Sequence, residues 1–121
     1  MSCFGYVLIV DDDPDVRAAL GEFIDALGCT TALACDGVEA IARLDSGHRP
    51  CLVLLDLNMP RLDGEGFAEH VRREAVLSDL PIISMSAGSH VLRPPLVHTH
   101  LTKPFAFHDL VTAVERFCRA S

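Results

Sequence analysis

Tyr6-Val7-Leu8-Ile9-Val10-Asp11-Asp12-Asp13-Pro14 joins an unbroken apolar run to three consecutive carboxylates and a proline. A continuous apolar, β-branched run suits a strand covered on both faces, as in a parallel sheet. Asp13-Pro14 then supplies an N-cap followed by proline at the first helical position. Val16, Ala19, Leu20, Phe23, Ile24 and Leu27 recur at three-four spacing, giving one apolar helical face that Gly28 ends. A buried strand, an acidic strand end and an amphipathic helix thus follow one another within the first 28 residues.

The same alternation continues outward. Cys29 to Ala34 reads as a second strand, and Asp36 with Glu39 as a capping box before a helix on Val38, Ile41 and Leu44. Leu52 to Leu55 is a third strand closed by Asp56 and then Pro60. Phe67, Ala68, Val71 and Ala75 mark a helix after an Asp63-Gly64 turn. Pro81 to Met85 forms a fourth strand, Leu101-Thr102 ends a fifth, and Leu110, Val111, Val114, Phe117 and Cys118 face a last helix. This spacing predicts an α/β fold with a doubly wound five-stranded parallel sheet. Between the fourth and fifth strands, Ala87 to Val97 carries Pro94-Pro95, which removes two amide donors. A full helix is not expected there, and the sequence assigns that segment no role.

Length and composition frame the function. A chain of 121 residues, half of them hydrophobic, fits one domain spanning 1–121. Its 17 acidic and 10 basic residues give a net charge of −7. That balance disfavours nucleic acid and acidic membrane surfaces as partners. No apolar run approaches bilayer length, and no leader-like segment opens the chain, so a cytoplasmic location is expected. Five cysteines without a CxxC pair are read as reduced thiols, with redox chemistry conceivable only at Cys3 or Cys118.

In open parallel sheets ligands bind beyond the carboxyl ends of the strands. Asp11, Asp12 and Asp13 end the first strand, Asp56 the third, Ser84 and Ser86 flank the end of the fourth, and Lys103 follows the fifth. Lys103 is the only lysine in the chain. Clustered carboxylates repel one another unless a cation neutralises them, and a hard ion such as Mg²⁺ takes carboxylates, waters and phosphate as ligands. The residues therefore point to a Mg²⁺-dependent phosphoryl site with Asp56 as nucleophile.

Val7-Leu8-Ile9-Val10-Asp11-Asp12-Asp13-Pro14, Leu54-Leu55-Asp56-Leu57-Asn58-Met59-Pro60, Ser86-Ala87 and Lys103-Pro104-Phe105, in this order, resemble the receiver domain of two-component response regulators. The resemblance implies a flavodoxin-like fold with strand order 2-1-3-4-5, from which this chain is expected to depart in a fourth helix that is shortened or absent. It implies phosphoryl acceptance by Asp56 from a sensor histidine kinase or histidine phosphotransfer protein, with autophosphorylation and autodephosphorylation rather than conventional turnover. Asp12 matches the direct Mg²⁺ ligand, Asp11 the acid holding the metal through water, and Asn58 the donor of a backbone carbonyl. Ser86 matches the hydroxyl that turns to the phosphoryl group, and Lys103 the cation that pairs with it. Lys103-Pro104 matches the family's cis peptide.

Two departures bear on output. The chain is short where the fourth helix belongs, and His100 stands where the family carries its switch aromatic, making it a candidate switch residue. With no further domain after residue 121, the chain resembles a stand-alone, chemotaxis-type regulator. Ser84 is expected on the opposite side of its strand from Ser86. A calcium loop over Asp11 to Glu22 fails because Val16 stands where glycine is needed. Zinc at His98 and His100 lacks further ligands. Two alternatives stay open: a receiver-like interaction module without phosphoryl turnover, and a haloacid-dehalogenase-type phosphatase, whose motif Asp15 interrupts.

Overall fold

The computed structural model describes residues 5–59 and 63–119; Cys3 and Pro60 lie outside the described residues. Five strands, β1 (Tyr6–Val10), β2 (Thr30–Ala34), β3 (Leu52–Asp56), β4 (Ile82–Ser86) and β5 (Thr99–Thr102), form one parallel sheet in the order β2-β1-β3-β4-β5. The helices are α1 (Pro14–Ala26), α2 (Gly37–Ser46), α3 (Gly64–Arg73) and α4 (Phe107–Cys118), with a 3₁₀ turn at Ala75–Leu77. The flavodoxin-like topology expected from the resemblance is the one observed.

The unbroken apolar strands have a simple cause. Successive side chains alternate between faces, and both faces are covered. Leu8, Val10, Val53 and Leu55 pack with Phe67, Ala68 and Val71 on one side, while Val7, Ile9, Leu52 and Leu54 pack with Ile24, Leu110 and Val114 on the other. The helix starts are those that local chemistry dictates. Asp13 accepts from the amides of Asp15 (2.9 Å) and Val16 (3.4 Å), and Asp36 accepts from Glu39 N–H at 2.8 Å. Gly28, at φ +92°, takes the left-handed stop after α1.

Asp63-Gly64 is not a turn before the helix, as read from the sequence, but its beginning. Asp63 is the N-cap, accepting from Gly66 N–H at 2.8 Å, and Gly64 is the first helical residue. A Cβ at Gly64 would lie 2.7 Å from the Asp56 carbonyl oxygen and 2.7 Å from Leu57 Cα. These are backbone atoms of the strand end that carries Asp56, so they cannot yield as a flexible side chain does. Gly64→Ala is therefore expected to cost about 1–3 kcal/mol, the usual penalty for overpacking, measured by urea unfolding.

Between β4 and β5 no described residue is helical. The shortened segment is held down instead. Leu92 and Val97 bury their side chains, and Arg72 of α3 donates Nε–H to the carbonyls of Pro95 (3.0 Å) and Leu96 (2.9 Å). Its Nη1 reaches the carbonyls of Ser78 (3.1 Å) and Leu80 (2.9 Å), so one guanidinium ties the segment after β4 to the loop before it. The Lys103-Pro104 peptide is cis, as the resemblance implied, and Pro94-Pro95 is cis as well.

The reading of the cysteines as reduced thiols is overturned, since Cys29, Cys51 and Cys118 are all disulfide-bonded. Cys51, just before β3, and Cys118, at the end of α4, form a disulfide with Cα atoms 5.2 Å apart. Cys118 is fully buried rather than an exposed thiol. The pairing joins residues 67 apart, which no local pattern reveals. No described helix is long and apolar enough to cross a membrane.

Candidate phosphoryl site at the carboxyl edge of the sheet

Parallel strands all end at one edge, so the residues closing β1, β3, β4 and β5 converge there. Pairing fixes the convergence: Leu57 N–H donates to Met85 O at 3.0 Å, and Lys103 N–H to Ser86 O at 2.8 Å. Asp11, Asp12 and Asp56 each place a carboxylate oxygen within 4.8 Å of the others. Asp11 and Asp56 are buried, at 1% and 5% exposure, whereas Asp12 is open to solvent.

Lys103 answers both buried acids. Its Nζ lies 3.6 Å from Asp56 Oδ1 and 3.9 Å from Asp11 Oδ2. Asp11 Oδ1 accepts from Asp13 N–H at 2.9 Å, and Arg17 Nη1 donates to the Asp11 carbonyl at 2.7 Å. One lysine does not balance three carboxylates. Burial pushes the Asp56 carboxyl up to about 6, with the charge of Asp11 adding to the rise and Lys103 opposing it. Burial raises Asp11 too, against the pull of the Asp13 amide and Lys103. Asp11 Oδ2 is buried and has no hydrogen-bond partner among the described residues. An unsatisfied buried oxygen close to two further carboxylates suits a hard divalent cation, which takes oxygen ligands. Asn58, two residues beyond Asp56, is exposed at the same strand end.

Ser86 is fully buried, and its Oγ donates to the His90 carbonyl at 2.5 Å. His100 lies between two serines: Ser84 Oγ is 2.7 Å from its Nδ1, and Ser86 Oγ is 3.0 Å from its Nε2. The sequence reading that set Ser84 on the far side of β4 is thereby corrected. Residues two apart on a strand share a face, and both hydroxyls meet one imidazole. His98 is separate from this group, packing edge-on against Phe117. Among the described residues, Asp11, Asp12 and Asp56 form the acidic group whose oxygens are close enough to share a metal ion. Sequence reasoning missed two contributors, Gly64 and the bridging place of Ser84. The period-two rule alone would have found the second.

A family model described as the response regulator receiver domain matches residues 7–115. PrrA of Mycobacterium tuberculosis, named as a transcriptional regulatory protein, is 37% identical over 118 residues, covering 93% of this chain and 49% of PrrA. The probable transcriptional regulator ycf27 of Cyanidium caldarium is 33% identical over 119 residues, covering 94% of this chain and 46% of ycf27. The chain thus spans about half the length of these relatives. Among solved structures, the response regulator TrrA from Thermotoga maritima in complex with Mg(2+)-BeF superimposes with a TM-score of 0.83 at 30% identity, covering 94% of this chain and 99% of that one. A response regulator receiver protein from Pseudomonas putida gives 0.84 at 26% identity, covering 96% and 99%.

Proposed function

This chain belongs to the response regulator receiver family, and from that premise we propose that Asp56 accepts a phosphoryl group from a histidine of a sensor kinase or phosphotransfer protein. The observation that carries the reading is Lys103 Nζ facing the buried carboxylates of both Asp56 and Asp11 at one strand edge. The same arrangement suits a small acyl phosphate as donor.

In the transfer, an Asp56 carboxylate oxygen forms a bond to phosphorus while the bond from phosphorus to the donor nitrogen breaks. The electron pair of that bond returns to the imidazole, which leaves neutral because its other nitrogen carries a proton. Lys103 stands beside the reacting oxygen, placed to offset charge on the phosphoryl oxygens. Asp11, Asp12 and Asp56, with the Asn58 carbonyl, are the residues that would hold Mg²⁺, and Mg²⁺ supplies charge neutralisation there. Asp56 must be ionised to attack, and its raised pKa makes that cation more valuable. Ser86 provides the hydroxyl that senses the product.

The chain's net charge of −7 favours a protein donor over direct DNA contact, and a cytoplasmic location follows from the kinase partner. Intact mass after incubation with Mg²⁺ and acetyl phosphate tests the reading. One added phosphoryl group is expected, lost with a chelator. No addition from acetyl phosphate or from a phosphorylated kinase would replace this reading with that of an interaction module.

A further inference from the structure

The hydrogen bonds around His100 have a determined polarity. Ser86 has one hydroxyl proton, and Oγ spends it on the His90 carbonyl at 2.5 Å. Its 3.0 Å contact with His100 Nε2 therefore requires Nε2 to carry the proton and donate. A neutral imidazole then leaves Nδ1 as acceptor, and Ser84 Oγ–H supplies that bond at 2.7 Å. The chain runs in one direction: Ser84 O–H to Nδ1, Nε2–H to Ser86 Oγ, Ser86 O–H to His90 O. Burial and the neighbouring His90 both lower the His100 pKa, which keeps the ring neutral.

We propose that His100 is a positioning residue that withholds Ser86 in the unphosphorylated protein, fixing its hydroxyl on the His90 carbonyl through a tautomer set by Ser84. The inference rests on Asp56 being the phosphoacceptor. For the Ser86 proton to serve a phosphoryl oxygen, the bond to His90 O must break and Nε2–H must lose or follow its acceptor. His90 is also joined to α3, its Nε2 lying 3.2 Å from Glu65 Oε1. Release of Ser86 therefore reaches α3 through the segment that replaces the missing helix.

Two measurements on the full chain test this. Nitrogen-15 spectra of the histidine rings should show His100 as the Nε2–H tautomer, with both ring nitrogens shifting when Mg²⁺ and beryllofluoride are added. Beryllofluoride titrations at fixed Mg²⁺ should show His100→Phe binding about three- to tenfold tighter than wild type, the equivalent of one ordinary hydrogen bond released. His100→Gln, which restores an N–H donor, should return most of the way to wild type. An Nδ1–H tautomer, ring nitrogens unmoved by the analogue, or equal or weaker binding by His100→Phe would overturn the proposal alone. If His100→Phe does not fold, the wild-type spectra decide. Absence of analogue binding in wild type would instead overturn the phosphoacceptor reading and this inference with it.

Discussion

Asp56→Asn is expected to abolish phosphoryl acceptance and, with a chelator present, to make the protein more stable than wild type. The first effect follows from losing the nucleophilic oxygen beside Lys103. The second follows from what the fold asks of that oxygen. Buried at 5% exposure, Asp56 has its carboxyl pushed up to about 6 from 3.8. A raised carboxylate binds protons more tightly folded than unfolded, so stability falls as pH rises from about 4 through about 6. Above that window the ionised group costs on the order of 3 kcal/mol. Asparagine keeps the shape without the charge, and the attraction to Lys103 is already counted in that cost. A net gain of about 1–3 kcal/mol at pH 7.5 is expected. Denaturant unfolding of both proteins from pH 4 to pH 8 checks it: the curves should converge toward pH 4 and separate as Asp56 ionises. A variant no more stable than wild type at pH 7.5 would show that Lys103 already neutralises the site.

This penalty explains why the site could be read from the sequence at all. A carboxylate closing a buried strand contradicts the pattern around it, and function is where such contradictions are kept. Asp56 after Leu52 to Leu55, and Asp11 after Val7 to Val10, break the apolar run at the edge where parallel strands converge. The caps at Asp13 and Asp36 were legible for a different reason, because their bonds reach only two or three residues ahead. What stayed hidden depends on partners distant in sequence. The two prolines said that no helix follows β4, yet nothing local said that Arg72 would tie down Pro95 and Leu96. Gly64 looks like any turn glycine until β3 is laid against it. His100 announces an imidazole, but the direction of its hydrogen bonds needs Ser84, Ser86 and the His90 carbonyl together.

Reduction of the Cys51–Cys118 bond is the other change expected to act strongly, and it acts far from the carboxylates. The bond closes a loop across 67 residues, joining the chain ahead of β3 to the last residue of α4. In the chain-entropy account, a closure of that length removes enough freedom from the unfolded state to stabilise the fold by about 4 kcal/mol. Much of a small domain's stability is of that size. The fold does not depend on the bond for its topology, since α4 also buries Leu110, Ala113 and Val114 against the sheet. Cys51→Ser or Cys118→Ala should therefore unfold at markedly lower urea while keeping the native circular dichroism without denaturant. Because Asp56 and Lys103 are positioned by the opposite ends of the strands, phosphoryl acceptance by the folded fraction should survive. A loss of acceptance in either still-folded variant would mean that the staple also sets the carboxyl edge of the sheet. The midpoint shift and the acceptance assay together separate a bond that holds the fold from one that governs the site.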